Sequence, residues 1–178
     1  MSISAREWSV PVRIEDIPET GRRFDLAPSE ATLGALAHVA GVNRISRLEA
    51  HFDVTRHGRD GLHVVGTVTA TVAQTCVVTL EPIETEVEES VNLTFVPGSS
   101  SPSEGAAVRV GVSPAREPPE PLFDGTVDLG AIAVEFLILG IDPYPRKPGA
   151  VFATPRAGDP AGHPFAALAA LKTGKQDR

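Results

Sequence analysis

The groups in this chain that could do chemistry are one cysteine, five histidines and 23 carboxylates. Cys76 sits in "QTCVVTLEP", where a Val/Thr run gives way to a carboxylate-rich segment. A nucleophilic cysteine needs a base or a positive environment beside it, and a metal site needs further ligands at set spacing. Neither is visible around Cys76, which reads as a small packing residue at a strand end. His38, His51, His57, His63 and His163 are not spaced as metal ligands, and the chain has no HExxH, no GxSxG and no Gly-rich phosphate loop. The sequence therefore nominates no catalytic residue, no metal ligand and no cofactor, and the chain is expected not to be an enzyme. His51 and His63 could face each other across a hairpin, as a solvated cross-strand pair rather than a catalytic couple. Glu135, the one charge in an apolar run, reads as a rim residue or as the partner of an arginine.

Charge is unevenly spread. Residues 1–65 carry eight Lys/Arg against nine Asp/Glu, residues 66–130 two against ten, and residues 131–178 six against four, within a formal net charge of −7. Nucleic acid is usually held by neutralising phosphates with a basic surface, so this acidity argues against a broad RNA-binding face and fits a cationic partner better. A single cysteine cannot form an internal disulfide. No stretch reads as a signal peptide, and the apolar run Ala131–Ile141 is too short to cross a bilayer. A cytoplasmic protein without a membrane partner is expected.

The elements that must position these groups follow from periodicity. "WSVPVRI" and "RRFDL" read as short extended segments, and a helix is expected between a Ser29 cap and Gly41. Leu48, Ala50, Phe52 and Val54 alternate with Arg47, Glu49, His51 and Asp53, the period-two signature of a strand with one wet face. "RHGRDG" turns the chain into a second long strand with Leu62, Val64, Val68, Ala70 and Val72 on one face. A third places Ile83, Val87, Val91, Leu93 and Phe95 opposite Glu84, Glu86, Glu88, Asn92 and Thr94. A Pro/Ser-rich mobile loop at about 97–123 is expected next, with "AVRVGV" able to add a short edge strand. Asp128 can cap a central apolar helix that ends before Pro143, with Phe136 and Leu139 deeply buried, and "PFAALAALK" reads as a short final helix. The expected fold is a single α+β domain over residues 1–178. In it an antiparallel β-meander sheet, with partial closure into a barrel left open, is packed by two or three helices.

Gln74, Cys76, Leu80 and Pro82, the strand ending "LTFVP", the segment "VDLGAIAVEFLILGIDPYPRKPGAVF" and the closing "HPFAALAALK" together resemble the YceD family, named for large ribosomal RNA subunit accumulation. The resemblance runs from about the first strand to Lys172. It implies a cytoplasmic bacterial protein that supports accumulation or maturation of large-subunit ribosomal RNA without a known enzymatic activity. Many members carry Cys-x-x-Cys at the first motif and further cysteines after the Asp-Pro exit. Here the second cysteine position falls on Thr79, and "PYPRKPG" holds none.

Two partners follow. A precursor of large-subunit ribosomal RNA would be met by Arg44, Arg47, Arg56 and Arg59, expected near one hairpin, and by Arg146 and Lys147 after the central helix. A basic ribosomal protein would be met by Glu84, Glu86 and Glu88 in a row, with the chain acting as an acidic adaptor. The two sets are expected on different parts of the surface, the arginines opposite the glutamates or at the ends of the sheet, because the acidic row repels phosphate.

Overall fold

The computed structural model describes residues 7–98 and 119–152. Its centre is a sheet of five strands in the order β2-β3-β4-β5-β6, formed by β2 (Arg22–Leu26), β3 (Arg44–His57), β4 (Gly61–Thr75), β5 (Pro82–Pro97) and β6 (Glu120–Leu122). All neighbours are antiparallel except β5 and β6. The short strands β1 (Pro11–Arg13) and β7 (Thr126–Asp128) pair separately. The helices α1 (Glu30–Ala40) and α2 (Leu129–Gly140) complete an α+β fold among the described residues. Among the described residues the main sheet is open, with β2 and β6 as its edges and no barrel closure.

The alternation along β3, β4 and β5 decides the layers. Leu48, Ala50, Phe52 and Val54 of β3 stand opposite Ala70, Val68, Gly66 and Val64 of β4, and all four β3 side chains are buried. Gly66 is required there. A Cβ on it would lie 2.0 Å from the His51 carbonyl oxygen and 2.6 Å from the Phe52 ring, so only glycine lets β4 pass this close to β3. On the opposite face, Thr67, Thr69 and Thr71 form a threonine spine between the charged residues of β3 and β5.

Both helices cover the apolar face. In α1, Ser29 accepts from the Thr32 N–H, Gly41 adopts φ 68° as the left-handed stop, and Leu36 and Ala37 are buried. This helix packs on β3, and α2 packs on β4 and β5. Asp128 caps α2 by accepting from Ala131 N, and it also accepts from Ser9 and from Val10 N, tying the helix start to the segment before β1. Leu129, Ile132, Ala133, Val134 and Leu137 are buried.

The expectation for Phe136 and Leu139 needs correction. Phe136 is half-buried and Leu139 is 70% exposed, because an almost uniformly apolar helix carries no periodic signal to say which stripe meets the sheet. Glu135 is exposed, as a rim residue should be. The predicted helix at "PFAALAALK", the possible edge strand "AVRVGV" and most of the loop at about 97–123 lie outside the described residues. No described helix is long and apolar enough to cross a membrane.

Candidate functional site

The polar face of the sheet gathers most of the nominated residues, and their order is set by one irregularity. A β-bulge between Ile45 and Arg47 inserts Ser46, so Arg44 stands opposite Ala73 and Arg47 opposite Thr71 on the same face. Across β4, Ala73 faces Glu84 and Thr71 faces Glu86. Each arginine therefore reaches over the small residue of β4 to a glutamate of β5. Arg44 meets Glu84 at 3.0 Å, and Arg47 meets Glu86 at 3.2 Å and Glu49 at 3.5 Å. The other oxygen of Glu86 accepts from the Thr71 hydroxyl at 2.8 Å. In the next row Glu88 and Glu49 stand on either side of Thr69, and Glu88 makes no ion pair among the described residues.

Further along, His51 is 2.6 Å from Asp25, and Arg23 lies 3.9 Å from both Asp25 and Asp53. His63 meets Asn92 at 2.9 Å. His51 and His63, which the hairpin could have set face to face, are not paired, since the register sets His51 against Thr67 and His63 against Thr55.

This placement corrects the separation expected from sequence. Arg44 and Arg47 share the face of the glutamates and pair with two of them across β4, and Lys147 is held by Glu81 at 2.8 Å. Arg56 and Arg59 sit at the far end of the β3–β4 hairpin, about 40 Å from Arg44 at the rise of an extended strand. The Nε of Arg56 donates to the Ile17 carbonyl at 2.6 Å. Arg146 is exposed beside Lys147. The six cations thus do not converge into one patch. Exposed pairs of this kind are screened by solvent, so they orient side chains more than they hold the fold. Arg44 also lines, with Glu30, Leu33, Asn43 and Ser46, a cleft of about 530 Å³ beside α1 that is open to solvent.

The second constellation is the corner where β4 ends. Gln74 is buried and donates from Nε2 to the Asp142 carbonyl at 2.9 Å, clamping the exit of α2, while its Oε1 is buried without a partner among the described residues. Cys76 exposes no surface. Its Sγ accepts from Lys147 N at 3.3 Å and from Thr79 N at 3.4 Å, while Val77 N donates to the Pro145 carbonyl at 2.9 Å. The Lys147 N–H, followed by donors around Thr79, stabilises the thiolate and pulls Cys76 down to about 6. The Lys147 ammonium holds the Glu81 carboxyl below its usual range, and Glu81 in turn raises Lys147. Cys76 is therefore a hydrogen-bonded hub joining the turn to the segment after α2, as well as a packing residue. Nothing in the sequence signalled its link to Lys147, 71 positions away.

A thiolate metal centre does not fit this corner. The groups aimed at the sulfur are N–H donors, the neighbouring charge at Lys147 is positive, and no cluster of three His, Cys, Asp or Glu suited to a metal occurs among the described residues.

Among the described residues the chain is a small α+β protein whose open sheet has one helix-covered face and one wet face bearing both signs of charge. The chain belongs to the YceD family: the family model described as large ribosomal RNA subunit accumulation protein YceD matches residues 64–172, more than half of its length. The match spans nearly all of β4, then β5, β6, β7 and α2, and begins later than the resemblance from the first strand onward had implied. No curated protein and no solved structure matches the chain.

Proposed function

We propose that this protein is a non-enzymatic, cytoplasmic factor in ribosome biogenesis that supports accumulation or maturation of large-subunit ribosomal RNA. The observation that carries this reading is the family match over residues 64–172. Binding is favoured over catalysis by the state of the polar groups, since His51, His63, Glu84 and Glu86 of the wet face are exposed or half-buried and each is engaged by a neighbouring side chain.

The direct partner on the wet face is better read as a basic protein than as bare RNA. Glutamates 84 and 86 sit among the arginines that would otherwise meet phosphate, and Glu49, Glu88, Asp25 and Asp53 add negative charge along the same face. RNA contact, where it occurs, falls to the ends of the sheet, at Arg56 and Arg59 or at Arg146.

Depleting the protein from its own cells and measuring both ribosomal RNAs tests the proposal. Large-subunit RNA should fall relative to small-subunit RNA and recover on re-expression. An unchanged ratio refutes it.

A further inference from the structure

β5 is bonded unequally on its two edges. Its inner edge pairs with β4 from Pro82 to Phe95, whereas among the described residues its outer edge is taken only at Phe95–Pro97, by β6. From Pro82 to Leu93 no strand covers that edge among the described residues. Alternate residues there turn backbone N–H and C=O groups outward over about 40 Å at the rise of an extended strand. Such an edge is a template for a further strand, and β6 shows that this one accepts a strand in parallel sense.

We infer that the open edge of β5 is a strand-addition site for an extended segment of another protein in which lysine or arginine alternates with small apolar or β-branched residues. Side chains of an added strand stand opposite those of β5, so every second residue faces Glu84, Glu86 and Glu88. Arg44 and Arg47 approach the first two glutamates from the β4 side, which leaves their outer flank to the newcomer. Glu88 has Glu49, a like charge, across Thr69 and gains most from a cation. The residues between the basic ones fall on the other face beside Ile83, Thr85 and Val87, of which Val87 is buried and the other two half-buried. A second copy of the chain would set one acidic row against another, and an RNA strand would bring phosphates without a peptide ladder. Charge complementarity therefore selects a basic peptide.

This names a partner for the factor proposed above and rests on that reading only for its biological setting. The test uses the full chain and a fluorescent heptapeptide, Lys-Val-Lys-Thr-Lys-Val-Lys, with two versions N-methylated along one edge or the other. One N-methylated version should bind at least tenfold more weakly than the parent, because it loses the donors that pair with β5. The parent should slow amide exchange within residues 82–93. The combined substitution Glu84→Gln, Glu86→Gln and Glu88→Gln should weaken capture at least tenfold at low salt with an unchanged melting temperature. If that variant does not fold, the N-methylation and exchange arms on the natural sequence still decide.

Equal binding of all three peptides would reduce the effect to charge attraction and overturn the inference, as would unaltered exchange in β5. Binding that appears only after deletion of residues 101–117 would mean that the chain fills its own edge. Self-association of the glutamine variant without peptide capture would assign the row to keeping copies apart. Peptide capture is measured on purified protein and ribosomal RNA in cells, so either result can fail alone.

Discussion

The sulfur of Cys76 receives backbone N–H groups from two segments, and this favours its charged form in the folded state. The unfolded thiol titrates near 9.0 and the folded one at about 6. A depressed acid contributes stability that is complete above the unfolded value, declines as pH falls and is lost below the folded value. Denaturant unfolding of the natural protein and of Cys76→Ala should therefore differ least near pH 5 and most near pH 9. A constant difference would show that the thiolate is not the favoured form. Leu80, in the same turn, is 76% exposed and holds φ 59°, a conformation that costs a bulky residue about 1 kcal/mol. Leu80→Gly relieves this at a similar entropic cost, so its stability should stay within about 0.5 kcal/mol, whereas Leu80→Val should lose about 1 kcal/mol. Thermal melts distinguish the two.

At the level of elements, α2 links the core to the Cys76 corner, since one face seals the core and its exit is tied to that corner. Leu137 exposes no surface and Leu139 exposes 70% on the same helix. Leu137→Ala should cost about 3 kcal/mol, through lost burial and the cavity left behind, while Leu139→Ala should change stability by less than about 0.5 kcal/mol. Parallel denaturation curves check the pair. Equal losses would mean that the exposed side of α2 is covered in solution. The strands differ in the same sense, because among the described residues β4 is paired along both edges and β5 along one for most of its length.

For the whole molecule, stability comes from the sheet–helix core rather than from a staple. Phe52, Ile17, Leu36, Leu62, Leu129 and Leu137 are fully buried in it. Small domains need a metal when burial is insufficient, and the buried set here gives the fold an apolar core of its own. Purified protein should contain no stoichiometric zinc by elemental analysis, and its melting temperature should be unchanged by a chelator. One zinc per chain would require a site built differently from the Cys76 corner. The acidity concentrated in residues 66–130 acts at this scale as well. Under the proposed function, association with a cationic partner should weaken as salt rises, because exposed charges are screened.

Local sequence by itself determined the long strands, their apolar and wet faces, and three helix caps, since these depend on spacing and residue type within a few positions: Ser29, Gly41 and Asp128 act locally, and Phe52 alternates with His51 wherever the strand lies. Strand-to-strand relations were decided only by tertiary structure. The Ser46 bulge brought Arg44 and Arg47, three positions apart, to one face, and pairing through β4 set them against Glu84 and Glu86. A single inserted residue inverts the side on which a strand displays its charges, and alternation alone does not reveal it. The same holds for Leu139, whose exposure depends on which stripe of an all-apolar helix meets the sheet, and for Cys76, whose chemistry comes from a backbone N–H far along the chain.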